Sequence, residues 1–129
     1  MLDHVGIVVS DFARSRAFYE AALKPLGISI QMAITAAETG GAYEGAGFGP
    51  PGKPEFWVSR TGAATGPVHI AFSAPDRASV DAFHAAALAA GGRDNGAPGL
   101  RPQYHPDYYG AFVLDPDGAN IEAVCHRPV

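Results

Sequence analysis

Residues 4–23, HVGIVVSDFARSRAFYEAAL, and residues 69–88, HIAFSAPDRASVDAFHAAAL, align without a gap at an offset of 65 and are identical at eight of twenty positions. Alanine is abundant, so the four alanine matches carry little weight. His4/His69, Asp11/Asp76, Phe18/Phe83 and Leu23/Leu88 at one fixed offset indicate an internal repeat, and Gly27/Gly92 extends the register. Each copy opens with a short apolar run, residues 2–9 and 68–74, that reads as a strand. A helix follows each, over about residues 11–24 and 76–90, with Asp11 and Asp76 placed as N-caps. Ser15, Phe18, Tyr19, Ala22 and Leu23 share one helical face, as do Val80, Phe83, Ala87 and Leu88. Gly27 and the Gly91-Gly92 pair supply the positive φ that ends a helix.

Three shorter strands follow in each half: residues 28–34, 43–48 and 55–60, then 93–97, 111–114 and 120–125. Asp115-Pro116-Asp117-Gly118 is a hairpin turn between the last two. The segment 40–54 is dense in Gly and Pro and reads as a loop able to act as a lid, apart from its weak strand. Gly66-Pro67 marks the joint between the halves. The fold class is therefore α+β: two tandem βαβββ modules, about residues 1–65 and 66–129, within a single domain.

A chain of 129 residues with 47% hydrophobic and 17% charged residues builds one core and is not disordered. Its formal charge of −4, with no basic cluster, argues against nucleic acid or an anionic membrane as a partner. No run approaches the roughly 18 apolar residues of a membrane span, and the first residues, with Asp3 and a short apolar stretch, do not read as a secretion signal. The single cysteine, Cys125, excludes an intrachain disulfide and a cysteine-based zinc site and suits a reducing cytosol, so a cytoplasmic protein with a small-molecule partner is expected.

His4 alternates with Leu2, Gly6 and Val8, while Val5, Ile7 and Val9 form the bulkier face that packs under the helix. His69 alternates with Ala71 and Ser73, opposite Val68, Ile70 and Phe72. Both histidines thus point away from the helices, onto faces lined partly by small residues. A lone strand histidine is more often structural than a ligand; two at equivalent repeat positions point to a shared concavity. Glu122 faces opposite the apolar side of its strand, either as a solvated carboxylate or as a site group.

With LDHVGIVVSD at residues 2–11, Phe18-Tyr19, VHIAF at 68–72 and FVLDPDGANIE at 112–122, the chain resembles the vicinal oxygen chelate superfamily. That group includes glyoxalase I, extradiol dioxygenases, fosfomycin-resistance enzymes and bleomycin-resistance proteins. The resemblance implies paired βαβββ modules forming a curved mixed sheet around a cup. It also implies a divalent metal ion (Fe, Mn, Ni, Co or Zn) held by His4, His69 and Glu122. Two imidazoles and a carboxylate leave positions open for two substrate oxygens, and the ion acts as a Lewis acid. A fourth ligand is expected in the last strand of the first module. Glu55 can fill that role if the register shifts, whereas Trp57, which the offset sets against Glu122, can form an aromatic wall instead; three ligands are favoured.

The segment from Arg101 to Gly110 mixes a cation, an imidazole and phenols at the expected mouth of the cup. Arg101 can pair with a substrate carboxylate or phosphonate, and His105 can act as acid or base. Tyr104 can contact substrate; Tyr109 can donate to a metal-bound oxygen and joins His105 and Glu55 as a candidate catalytic residue, with Trp57 and Tyr109 as walls. Equally, this can be a proline-stiffened surface loop. His84 and His126 read as exposed and Cys125 as core. The expected function is a metal-dependent enzyme of glyoxalase or extradiol-dioxygenase type. Its substrate is a small molecule that chelates through neighbouring oxygens. The alternative is a metal-free protein that sequesters an antibiotic. Strand edges and an open apolar sheet favour a homodimer.

Overall fold

The computed structural model of the chain describes residues 2–61, 64 and 66–129. The first half runs β1 (Val5–Val8), α1 (Phe12–Leu23), β2 (Ser29–Ile34), β3 (Glu44–Gly49) and β4 (Phe56–Arg60). The second runs β5 (His69–Ser73), α2 (Arg77–Ala89), β6 (Arg93–Leu100), β7 (Tyr109–Leu114) and β8 (Asn120–Cys125). Two four-stranded mixed sheets result, ordered β1-β4-β3-β2 and β5-β8-β7-β6. In each, the first strand pairs in parallel with the last, and the other neighbours are antiparallel. The repeat is thus a structural one, α+β, with one βαβββ unit per half. The joint expected near residue 65 involves residues 62, 63 and 65, which lie outside the described residues, as does residue 1.

Both helices start where the sequence puts a cap. The Asp11 side chain accepts from the Arg14 N–H at 3.1 Å, and that of Asp76 from the Ser79 N–H at 2.7 Å. On α1 the buried residues are Ser15, Phe18, Tyr19, Ala22 and Leu23, and on α2 they are Val80, Phe83 and Ala87. Leu88, expected on that inner stripe, is 37% exposed, whereas its neighbour Ala87 is fully buried. Burying each large apolar side chain contributes roughly 1.5–3 kcal/mol, and the two helices and both sheets share one continuous core.

Two contacts tie the halves together inside that core. The rings of Phe56 on β4 and Phe72 on β5 meet edge to face at 5.2 Å. The fully buried Tyr19 packs edge-on against Phe18 and Phe56 and donates its hydroxyl to Asp115 at 2.5 Å, in the turn between β7 and β8. The other Asp115 oxygen accepts the N–H groups of Asp117 and Ala119 at 2.9 and 2.8 Å. The Asp-Pro-Asp-Gly turn therefore fixes one carboxylate that clamps α1 to the opposite module.

Several boundaries differ from the sequence reading. β1 begins at Val5, so His4 stands just before the strand rather than within it. β6 extends to Leu100 through two irregularities, between Asp94 and Gly96 and between Gly96 and Gly99. The segment 40–54 is not a lid: its middle is β3, a central strand whose residues 45–49 are all buried. Glycine reads as loop in sequence, but here it serves close approach. A Cβ on Gly47 would lie 2.8 Å from both the Trp57 indole and Pro54.

Burial first, then Asp115, pushes the Tyr19 phenol well above tyrosine's ordinary value. Its contribution to stability is therefore fully present below that ordinary value and declines as pH climbs from there toward the raised one. Tyr19→Phe leaves a buried carboxylate oxygen without its donor. The expected loss is about 1.5–3 kcal/mol, read as a lower urea midpoint with an unchanged slope.

Candidate functional site

The register places matching rows of side chains on the two faces turned away from the helices. Across the second sheet, Ala71 pairs with Glu122, Glu122 with Phe112 and Phe112 with Gly96. Across the first, Gly6 pairs with Trp57, Trp57 with Gly47 and Gly47 with Met32. Trp57 therefore occupies in the first module the position that Glu122 occupies in the second, as the offset of 65 suggested. The indole lies against Gly47, where a Cβ would come 2.8 Å from its ring atoms.

Glu122 is 1% exposed, although it faces away from the helices; β8 is an inner strand, flanked by β5 and β7, and not an edge. Its carboxylate is met from two sides. One oxygen accepts the Tyr108 hydroxyl, and the other lies 3.1 Å from His69 Nε2. Gly110 makes room for this, since a Cβ there would come 3.0 Å from the carboxylate. Burial first, then the Glu122 carboxylate, pushes the Tyr108 phenol up to about 12, so it remains a donor at neutral pH.

His69 Nδ1 lies 3.0 Å from the carbonyl oxygen of Asn120. A carbonyl only accepts, so Nδ1 carries the hydrogen and Nε2 of a neutral ring presents a lone pair. That lone pair faces a carboxylate oxygen, and two acceptors at 3.1 Å require either a proton or a cation between them. A backbone carbonyl on one ring nitrogen fixes the tautomer, as it does for metal-ligating histidines, and the same geometry suits an ion pair with the carboxylate. His69, Glu122, Tyr104, Tyr108 and Phe112 line a depression of about 370 Å³.

His4 carries the same chemistry in the other module but stands apart. Its Nδ1 lies 2.8 Å from Asp3 Oδ2. Lys53, then His4, holds the Asp3 carboxyl below the usual carboxylate range. His4 borders two depressions: one of about 360 Å³ with Gly6, Ile34, Tyr43, Trp57 and Ser59, and one of about 410 Å³ shared with Glu55 and His69. Glu122 is not on the shared one. Among the described residues, no three His, Cys, Asp or Glu side chains gather closely enough to hold an ion.

The remaining expected residues divide. Glu55 is exposed and gives its backbone to the sheet, accepting from Val5 N–H and donating to the Phe48 carbonyl. Tyr104, 64% exposed, borders the Glu122 depression, and Arg101 lies over Phe112. His105 is exposed, accepts from the Asp107 N–H and stands against the His126 ring, outside the residues that line the depression. Tyr109 is on the opposite face: it donates to Asp81 on α2 at 2.6 Å, beneath Arg77. Its neighbour Tyr108 has the position expected of it. Residues 108, 110 and 112 share one face by strand alternation, a signal the reading of this segment as a loop concealed. His84 is half-buried and bonded to Asp94 at 2.9 Å rather than exposed, because α2 lies across the start of β6. Cys125 is buried, as expected.

Two repeated βαβββ units, an imidazole at the head of the first strand of each and a carboxylate on the last strand of the second, define a two-module α+β protein with depressions on its open faces. Residues 1–123 match the family model of the Glyoxalase/Bleomycin resistance protein/Dioxygenase superfamily, and the chain belongs to it. It is 32% identical to a glyoxalase/bleomycin resistance protein from Albidiferax ferrireducens T118, over 99% of both chains, with a TM-score of 0.74. Glyoxalase I from Zea mays shares the fold at 21% identity and a TM-score of 0.70, this chain covering 45% of the maize chain. So does a family enzyme from Burkholderia phytofirmans PsJN, at 18% identity and 0.68, over 97% of this chain and 98% of that one. Comparison with curated proteins gave no match.

Trp57 is the only tryptophan, so its environment can be read directly. Gly47→Ala places a methyl group against the indole and lifts it from the sheet. The expected result is a red-shifted emission maximum with little change in far-ultraviolet circular dichroism; an unchanged emission would show that the ring does not rest on β3.

Proposed function

We propose that the protein is a metal-dependent enzyme of glyoxalase or extradiol-dioxygenase type, acting on a small molecule that offers two neighbouring oxygens. The observation that carries this is His69, tied through Nδ1 to Asn120 and aimed through Nε2 at the buried Glu122 carboxylate. The donor chemistry fits a divalent ion. His69 and Glu122 would hold it with His4, whose Nδ1 is likewise occupied by Asp3. Because Trp57 stands where the second carboxylate of a four-ligand set would be, the set has three members. An ion so held supplies Lewis-acid stabilisation of negative charge developing on a substrate oxygen.

The chain's own residues prepare that chemistry. Tyr108 fixes the Glu122 carboxylate from the far side, and Asn120 fixes the tautomer of His69. Phe112, Tyr104 and Tyr108 wall the depression. A homodimer is part of this reading. Within one chain His4 stays apart from the other two donors, and Leu2, Val5, Met32 and Leu100 remain exposed for a second copy, with its own His4, to cover. A cytoplasmic location is consistent with the lone buried thiol, and no helix among the described residues is long and apolar enough to cross a membrane.

One observation favours a second reading, metal-free binding of a flat molecule. In the first module Tyr43 and Trp57 lie against Gly45 and Gly47 as an aromatic floor. Elemental analysis of protein purified without a metal-affinity tag decides between the two. About one ion per chain is expected, falling at least tenfold in His69→Ala and in Glu122→Ala. The loaded protein should turn over methylglyoxal with glutathione, or a member of a catechol panel. Protein without metal that binds a flat aromatic antibiotic equally well with and without the Glu122 carboxylate would replace the enzyme reading by sequestration.

A further inference from the structure

On the open face of the second module one cation sits in a prepared seat. Arg101 donates from Nη2 to the Ala97 carbonyl at 2.7 Å, and its guanidinium carbon lies 5.6 Å from the centre of the Phe112 ring. Two features of β6 make the seat. The strand breaks register on either side of Gly96, which frees residues 97 and 98 from pairing. Glycines also leave space for the flat group: a Cβ on Gly99 would lie 3.0 Å from Nη1, and one on Gly96 3.4 Å from Nη2. The Arg101 backbone is fixed as well, donating to the Tyr108 carbonyl at 2.7 Å.

Among the described residues no carboxylate pairs with this guanidinium, whereas Arg16, Arg60 and Lys53 each have one. A planar fork held by one of its nitrogens, with other N–H donors left over, matches a carboxylate in two-point geometry. Its orientation is set before any ligand arrives, which lowers the ordering cost of binding. Phe112, on which the guanidinium rests, is also a wall of the depression that Tyr104, Tyr108, His69 and Glu122 complete. That space, about 370 Å³ and largely aromatic, is of single-ring size. Arg101 is not one of the lining residues; it adjoins them through Phe112, so an acidic group would meet it at the edge of the depression.

We propose that this face binds a small ring-bearing acid, the ring in the depression and the carboxylate on Arg101. This rests on the open face of the second module being the substrate site. Benzoate and benzamide have nearly the same shape and differ in charge, so ligand-observed NMR titrations of the two against the protein as purified test the proposal. Benzoate should bind about tenfold or more tightly than benzamide, as expected for charge-assisted hydrogen bonds. Arg101→Gln should reduce benzoate to the level of benzamide while leaving benzamide unchanged. Arg101→Lys should keep part of the preference, since the charge remains and the fork does not. Equal affinities in the wild type, binding of neither probe, or a preference that survives Arg101→Gln overturns the proposal. Elemental analysis of the same samples separates the two readings. Bound metal without a benzoate preference removes the acid subsite alone, and the preference without metal supports the subsite while removing the metal-dependent reading.

Discussion

A carboxylate with 1% of its surface exposed is stable only when its charge is answered, and Glu122 is answered by a phenol on one side and an imidazole on the other. Much of the second module is arranged around that requirement. β8 carries Glu122 between β5, which brings His69, and β7, which leaves Gly110 bare beneath the carboxylate, while Tyr108 stands just before β7. Asn120, one ladder step away, holds the far nitrogen of His69. The His69 contact and the space at Gly110 follow from strand register, and Tyr108 joins them from the turn that leads into β7.

The first module shows what the same scaffold does without that charge. Its register is equivalent, yet Trp57 replaces the carboxylate, and glycines on β3 replace the bulky neighbour that Phe112 is on β7. The two modules have diverged into an aromatic face and a charged face, each headed by a histidine. The Tyr19–Asp115 clamp and the Phe56–Phe72 contact hold them as one body through the helix side, which leaves both open faces free.

The parts of this arrangement visible in the sequence are those that act locally or through the repeat. Asp11 and Asp76 cap their helices within three residues, and the buried stripe of α1 follows from helical spacing alone. The offset of 65 pairs His4 with His69 and sets Trp57 against Glu122, because a duplicated unit repeats its register, while Glu122 itself is legible from strand alternation and the family resemblance. What escaped depends on distant partners. The weak strand expected at 43–48 is present, but its buried, central place depends on Trp57 and the Lys53 backbone, which press against glycines 47 and 49 from the next part of the chain. Tyr108 and Tyr109 exchange roles because strand pairing reaches one segment further than the composition of 101–110 suggests. His105 looked like the acid or base of the site by type, but its backbone turn directs it toward His126.

The central claim is that His69 Nε2 and the Glu122 carboxylate are two ligands of one divalent ion. X-ray absorption spectroscopy on protein loaded with a single divalent metal measures this most directly, comparing wild type with His69→Ala and Glu122→Gln. The expected spectrum has imidazole scattering and nitrogen or oxygen neighbours at about 2.0–2.2 Å, with imidazole scattering reduced in His69→Ala and the shell altered in Glu122→Gln. A first shell of water oxygens without imidazole scattering, unchanged in both variants, would contradict it.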